Sequence, residues 1–170
     1  FFPRYDKAQL LRESLGLRGV VVGFVGTMNR WQGIFEFSSV LRRVMCESTD
    51  IQFLFVGDGE CRRSLEDFCV SEGFLGRVVF TGRKAHKDIP DLVAAIDIAV
   101  LLNSNEYGSP MKVFEYFGMG KAVIAPAVAP VREILHDGVT GLLIAPGNAD
   151  EMSSKILMLA KDSKLRCALG

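Results

Sequence analysis

The chain alternates short apolar runs with stretches in which apolar residues recur every three or four positions. Val20–Val25 carries no polar residue and stops at Gly26, which is the length and character of a buried strand. Residues 33–46 follow with helical spacing, since Phe37, Val40, Leu41 and Val44 fall on one face. Ile51–Val56 predicts a second buried strand, closed by Gly57-Asp58-Gly59, and residues 62–74 predict an amphipathic helix. Residues 78–81 predict a third strand, 89–95 a short helix and 96–102 a further strand. Residues 110–119 then read as a helix, 122–125 as a strand and 131–136 as a helical turn or two. A short strand at 142–145 and a helix at 150–160 complete the series.

Strands this apolar, alternating with amphipathic helices, predict a parallel sheet covered on both faces. The fold class is therefore α/β, a Rossmann-like doubly wound parallel sheet with helices on both faces. Sheets of this kind bind ligands beyond the carboxyl ends of their strands, so the chemistry is expected in the loops that leave them.

Composition narrows the function. With 49% hydrophobic and 24% charged residues over 170 positions, the chain suits one globular domain and is short for two. Lys and Arg together number 20, as do Asp and Glu, so no bulk charge attracts nucleic acid or an anionic membrane, and any phosphate site must be local. No apolar run approaches the roughly 20 residues of a membrane span, and no signal-type segment opens the chain, which reads as cytoplasmic. The start at Phe1-Phe2-Pro3 without Met is the start expected of a fragment. Cys46, Cys61, Cys69 and Cys167 form no CxxC pair and neither His lies near them in sequence, so the reading is reduced thiols with no metal site.

Three loops stand out. The first, GTMNRWQG from Gly26 to Gly33, joins a strand to a helix with glycine at both ends. It lacks the Gly-Lys-Ser/Thr of a P-loop and the spacing of GxGxxG, and taken alone it suits an ordinary turn as well as a ligand loop. The second is Gly57-Asp58-Gly59, where Asp58 could cap the next helix. The third, NSNEYGSPMKVFE from Asn103 to Glu115, enters a helix with Ser109 as the expected N-cap and Pro110 at the first helical position. Lys112 then sits in the first turn, where the helix dipole disfavours a cation by roughly 0.3–1 kcal/mol. A bound phosphate would reverse that penalty, and Glu115, one turn on, could accept hydrogen bonds from ribose hydroxyls. The plain alternative is a solvated Lys–Glu pair at helical spacing.

The residues from Pro110, PMKVFEYFGMGKAVIA, resemble the P-x-K-hydrophobic-F-E-Y segment of family 4 (group 1) glycosyltransferases with the GT-B fold. FVGTMNRWQG, FLFVGDGECRRSLE, VVFTGRKAHKDIPDLVAAIDIAVLLNS and VREILHDGVTGLLIAPGNADEMSSKI resemble other segments of that family, in the family's order. The resemblance implies the C-terminal half of a GT-B fold, residues 1–170 forming one nucleotide-sugar-binding domain. The acceptor domain would precede Phe1 and be absent here. It implies a retaining hexosyltransferase without a metal or other cofactor, active only as the full-length protein. Polysaccharide biosynthesis is its setting by analogy, with any peripheral contact to the inner membrane face made by the other half. Lys112 and Glu115 are the implied catalytic pair, Lys112 meeting the diphosphate and Glu115 the ribose. Gly26, Thr27, Arg30, Gln32, Gly33 and Gly57 are assigned to the donor site. The backbone of Gly108, Ser109, Pro110 and Met111 is placed near the diphosphate, and Arg83 and Lys84 near the base.

The chain departs from the family at three places. Thr27 and Gln32 stand where a basic pair is usual, which shifts the diphosphate to Lys112, backbone amides and Arg30. The first Glu of the family's E-x7-E motif falls at Tyr107, with Glu106 one position away. These departures keep two other readings open. One is a non-catalytic nucleotide-sugar-binding or scaffold module. The other is a GT-B-fold sugar-nucleotide epimerase, for which His86 and His136 are poorly placed as acid–base groups.

Overall fold

The structure is a computed structural model that describes residues 5–107 and 109–170. Six strands form one sheet: β1 (Val20–Val25), β2 (Ile51–Val56), β3 (Val78–Phe80), β4 (Ile98–Val100), β5 (Ala122–Pro126) and β6 (Leu142–Ile144). Their order is β3-β2-β1-β4-β5-β6, with every pairing parallel. The helices are α1 (Tyr5–Ser14), α2 (Phe37–Glu47), α3 (Arg62–Ser71), α4 (Ile89–Ala94), α5 (Met111–Gly118), α6 (Ala129–Arg132), α7 (Ala149–Lys161) and α8 (Ser163–Ala168). A 3-10 turn at Arg30–Gln32 precedes α2. The expected doubly wound sheet is the observed one.

Strand order fixes where a ligand can enter. From β1 the chain steps outward to β2 and β3, then crosses back to lay β4 against the other side of β1. Right-handed crossovers put α2 and α3 on the opposite face from α4: α2 packs on α3, α4 packs on α1, and α7, after the last strand, returns to pack on α2. The loops leaving β1 and β4 therefore diverge, and a crevice opens between them at the carboxyl edge.

The core explains the apolar runs. Phe24, Phe37 and Phe55 are buried, and Phe37 meets Phe55 edge-on at 5.5 Å between centroids. All four residues on the expected face of α2 are fully buried. Gly23 lies under Ile96, whose side chain occupies the space a Cβ would need. Buried Tyr116 of α5 accepts a hydrogen bond from the Val25 N–H at 3.0 Å. The next amide, Gly26, donates to Val56 on the β2 side, so Val25 faces the β4 side, beyond the last β1–β4 pair at Gly23 and Ala99. The hydroxyl satisfies a buried donor that the ladder leaves over and ties α5 to the end of β1.

Several expectations shift. Strand β4 is shorter than residues 96–102, because Ile96 and Leu102 are buried without pairing, while Leu101, just past its end, still donates to the Ile124 carbonyl of β5 at 2.9 Å. Helices α1 and α8 lie outside the elements that the pattern predicts. Pro110 rather than Ser109 takes the N-cap position of α5, and no side chain caps that end. Pro110 cannot donate a backbone hydrogen bond, and the Met111 N–H turns back to the Ser109 carbonyl at 2.8 Å. Asp58 does not cap α3. Its carboxylate accepts from the Gly59 N–H at 2.8 Å and meets Arg62 at 3.4 Å. Among the described residues no helix is long and apolar enough to cross a membrane. Cys61 and Cys69 are buried thiols, and burial pushes Cys69 up to about 11. Cys46 and Cys167 are exposed thiols.

Candidate functional site

The first two loops are laced together before any ligand arrives. Met28 N–H donates to Asp58 at 2.9 Å, Cys61 N–H to Met28 at 3.0 Å and Gly57 N–H to Gly82 at 3.1 Å, all to backbone carbonyls. Gly57 permits this, since a Cβ there would collide with the carbonyl of Gly26. The third loop joins the first through Asn103 N–H, which donates to the Gln32 carbonyl at 3.2 Å. Backbone bonds thus hold the loops after β1, β2, β3 and β4 as one surface along the carboxyl edge.

Two cavities open on that surface. One, of about 180 Å³, is lined by Gly26, Thr27, Gly57, Asp58, Arg83 and Lys84 among others. The other, of about 220 Å³, is lined by Trp31, Gln32, Leu101, Asn103, Ser104, Asn105, Ser109, Pro110, Met111 and Lys112. Lys112 connects them. It lines the second cavity, while its side chain crosses to Gly26, which lines the first. Gly26 has a φ of +150°, which favours glycine, and a Cβ there would lie 2.8 Å from Lys112 Nζ and displace the lysine tip.

Lys112 is not the solvated partner of Glu115. No carboxylate lies within ion-pair distance of it among the described residues. Its ammonium sits 5.7 Å above the Phe24 ring and 2.6 Å from the Gln32 carboxamide, which satisfies both Lys112 and the Thr27 carbonyl when its oxygen is assigned to the Lys112 side and its nitrogen to the Thr27 side. Burial lowers the Lys112 pKa from its usual value, and the negative charge of Glu115 offsets part of that shift. A partly desolvated cation beside a glycine turn, with no carboxylate at ion-pair distance among the described residues, has the chemistry to receive an anion.

The structure gathers most of the expected residues and separates others. Gly26, Thr27, Gly57, Arg83 and Lys84 share the first cavity, and Gln32, Ser109, Pro110, Met111 and Lys112 share the second. Arg30, Gly33, Glu106 and Glu115 line neither. Arg30 is exposed, and its backbone N–H donates to Glu60 at 3.1 Å. Gly33 closes the 3-10 turn. Glu106 and Tyr107 are exposed in the third loop, Tyr107 at 95%. Gly108 lies outside the described residues. Gln32 is only 3% exposed, although residues that greet a ligand are usually accessible. The amides and hydroxyls of Asn103, Ser104 and Asn105 were not singled out from sequence, although three polar residues after a buried strand are the signal for a lined pocket.

Comparison with known proteins assigns the architecture. The family of glycosyl transferases group 1 matches residues 19–162. Alpha-D-kanosaminyltransferase of Streptomyces kanamyceticus is 29% identical over 158 residues, 92% of this chain and 40% of that enzyme. The N,N'-diacetylbacillosaminyl-diphospho-undecaprenol alpha-1,3-N-acetylgalactosaminyltransferase of Campylobacter jejuni is 30% identical over 176 residues, 100% of this chain and 44% of that enzyme. This chain therefore spans less than half the length of these curated relatives. Among solved structures, the C-terminal domain of the group 1 family protein LpcC from Francisella tularensis matches with a TM-score of 0.87 at 26% identity. That match covers 99% of this chain and 89% of that one. HepE of Anabaena, solved in complex with UDP-glucose, matches with a TM-score of 0.87 at 26% identity, over 99% of this chain and 46% of that one. With its parallel β3-β2-β1-β4-β5-β6 sheet and its crevice at the switch point, the chain belongs to the group 1 (family 4) glycosyltransferases and has the fold of their GT-B C-terminal domains.

Proposed function

We propose that this chain is the donor half of a retaining glycosyltransferase and binds a uridine-diphosphate hexose. The acceptor half is supplied by a preceding domain. The observation that carries the reading is Lys112, a desolvated ammonium with no carboxylate partner, placed between two cavities at the switch point of the sheet. The diphosphate lies across Gly26 and Lys112. The base enters the cavity with Arg83 and Lys84, and the sugar enters the one lined by Asn103, Ser104 and Asn105. Glu115 takes the ribose hydroxyls, one turn from Lys112. Uridine is chosen because HepE, which matches over 99% of this chain, was solved with UDP-glucose.

Chemically, Lys112 stabilises the charge that grows on the leaving diphosphate, an electrostatic role that gains strength where water is excluded. Neither His86 nor His136 lines either cavity, which weighs against the epimerase reading. The test is calorimetric titration of the chain with UDP, GDP and ADP and their glucose conjugates. Selective binding of the uridine series is expected. Equal or absent binding of all three series by a folded chain would leave the scaffold reading in its place.

A further inference from the structure

Every loop residue that could bring a positive charge from the β1 side fails to do so. Thr27 and Gln32 are neutral, and Arg30 is exposed and lines neither cavity. The positive charge at Gly26 comes instead from α5, through a flexible side chain that must cross from the other side of the crevice. Four rotatable bonds are costly to hold in one geometry, and the ammonium is far enough from water to prefer swinging out. Something must keep it over Gly26.

Gln32 has the position and the chemistry. Its side chain is buried at the end of the 3-10 turn, and it has the correct length to reach both neighbours. Only one orientation of its carboxamide gives each polar atom a partner: the nitrogen donates to the Thr27 carbonyl and the oxygen accepts from Lys112 Nζ at 2.6 Å. The Asn103 N–H fixes the Gln32 backbone from the third loop, so the residue is held at both ends. A carboxylate at this place would bind Lys112 more tightly, but would neutralise it and compete with an incoming phosphate. A second lysine would repel it. A neutral acceptor is the one polar choice that holds the ammonium and leaves its charge available.

We propose that Gln32 is a positioning residue: its buried carboxamide, strapped to the Thr27 carbonyl, fixes the Lys112 ammonium over Gly26 and so gives the first loop a phosphate-binding charge that its own side chains lack. This rests on the donor-site reading above. Gln32 also lines the cavity assigned to the sugar, so the test uses UDP, which carries the diphosphate and no sugar.

A double-mutant cycle on the chain separates positioning from contact. UDP is titrated against the parent, Gln32→Leu, Lys112→Ala and the double variant, with uridine as a control that carries no phosphate. Gln32→Leu is expected to weaken UDP about tenfold, or ~1.4 kcal/mol, and to leave uridine unchanged. In the Lys112→Ala background the same substitution should cost nothing further. An equal loss in both backgrounds, or a parallel loss for uridine, overturns the proposal. If the parent binds no nucleotide at all, the donor reading fails, and the contact is judged alone by NMR of lysine-labelled protein. Gln32→Glu must then raise the Lys112 titration midpoint, since a carboxylate in contact favours the ammonium. An unmoved midpoint shows that Gln32 does not govern Lys112.

Discussion

At the scale of single residues, the site turns on the difference between a lysine in water and one half-withdrawn from it. Burial lowers the Lys112 pKa, so the unliganded site gives up its proton at a lower pH than an exposed lysine. A bound diphosphate favours the ammonium and raises that pKa again. Between the two values, binding takes up a proton, and affinity falls by about tenfold per pH unit as pH rises through the window. The expected outcome is flat UDP affinity from pH 7 up to the lowered Lys112 pKa, then a decline. Lys112→Ala should bind about 10–100-fold more weakly, from the loss of a hydrogen bond to a charged group, and should lose the decline. Calorimetry across pH reads both, and a decline of equal slope in the variant would assign the titration to another group. The sequence pointed to Lys112 through its place in the first turn of a helix. It did not show which way the side chain points. Glu115 at helical spacing invites a pair, and only the tertiary approach of Gln32, from another loop, draws the ammonium away. For the same reason Gln32 reads as a ligand from sequence, because its burial depends on Asn103 and Lys112 arriving from far along the chain.

At the scale of elements, β1 and β2 are observed with the bounds their composition predicts, because each is a run buried on both faces and bounded by glycine. Periodicity served less well where burial and pairing part company. Ile96 and Leu102 are as buried as any strand residue yet lie outside β4. Helix α8 is short, but its start could have been read from Asp162, which accepts from the Leu165 N–H at 2.9 Å as an N-cap. Tyr116 shows what pattern reading misses in the other direction. It occupies an apolar position of α5 and counts as core, while its hydroxyl holds the Val25 N–H at the point where β1 becomes the first loop. Tyr116→Phe preserves the packing and leaves that buried amide unpaired, at a cost of about 1–3 kcal/mol. For a domain of this size that is roughly 2–10 °C of melting temperature. Differential scanning calorimetry should show the loss, and amide exchange at Val25 should quicken. An unchanged melting temperature would mean that the amide finds another acceptor.

At the scale of the whole molecule, the sheet has two unlike ends, each with a half-buried lysine. At the carboxyl edge, Lys112 is held on a neutral acceptor and faces a cavity. At the amino edge, Lys121 donates to the Ala94 carbonyl at 2.9 Å, beside the pair that Arg12 makes with Asp97 at 2.7 Å. Asp97 also accepts from the Val21 N–H at 2.8 Å, and Arg12 donates to the Ala95 carbonyl at 2.9 Å, so α1, α4 and β1 are joined there. These bonds pair the charges of that end with one another and with backbone carbonyls, and its electrostatics bear on stability. Burial brings Lys121 down to about 8, against the partial opposition of Asp97. Below that pH both folded and unfolded chains carry the charge, and the fold bears its desolvation. As pH rises from about 8 towards the unfolded value of 10.5, the folded chain loses the proton first and gains stability. Cys69 acts oppositely above pH 9, because its thiol stays protonated in the fold up to about 11. A direct stability profile would mix the two. The clean quantity is the difference between the parent and Lys121→Met, in which Cys69 cancels. The parent should gain on the variant between pH 8 and 9.5, measured by urea unfolding at fixed ionic strength. A constant difference across that range would show that Lys121 keeps its ordinary pKa, and that the amino end tolerates its charge through solvent that the fold admits.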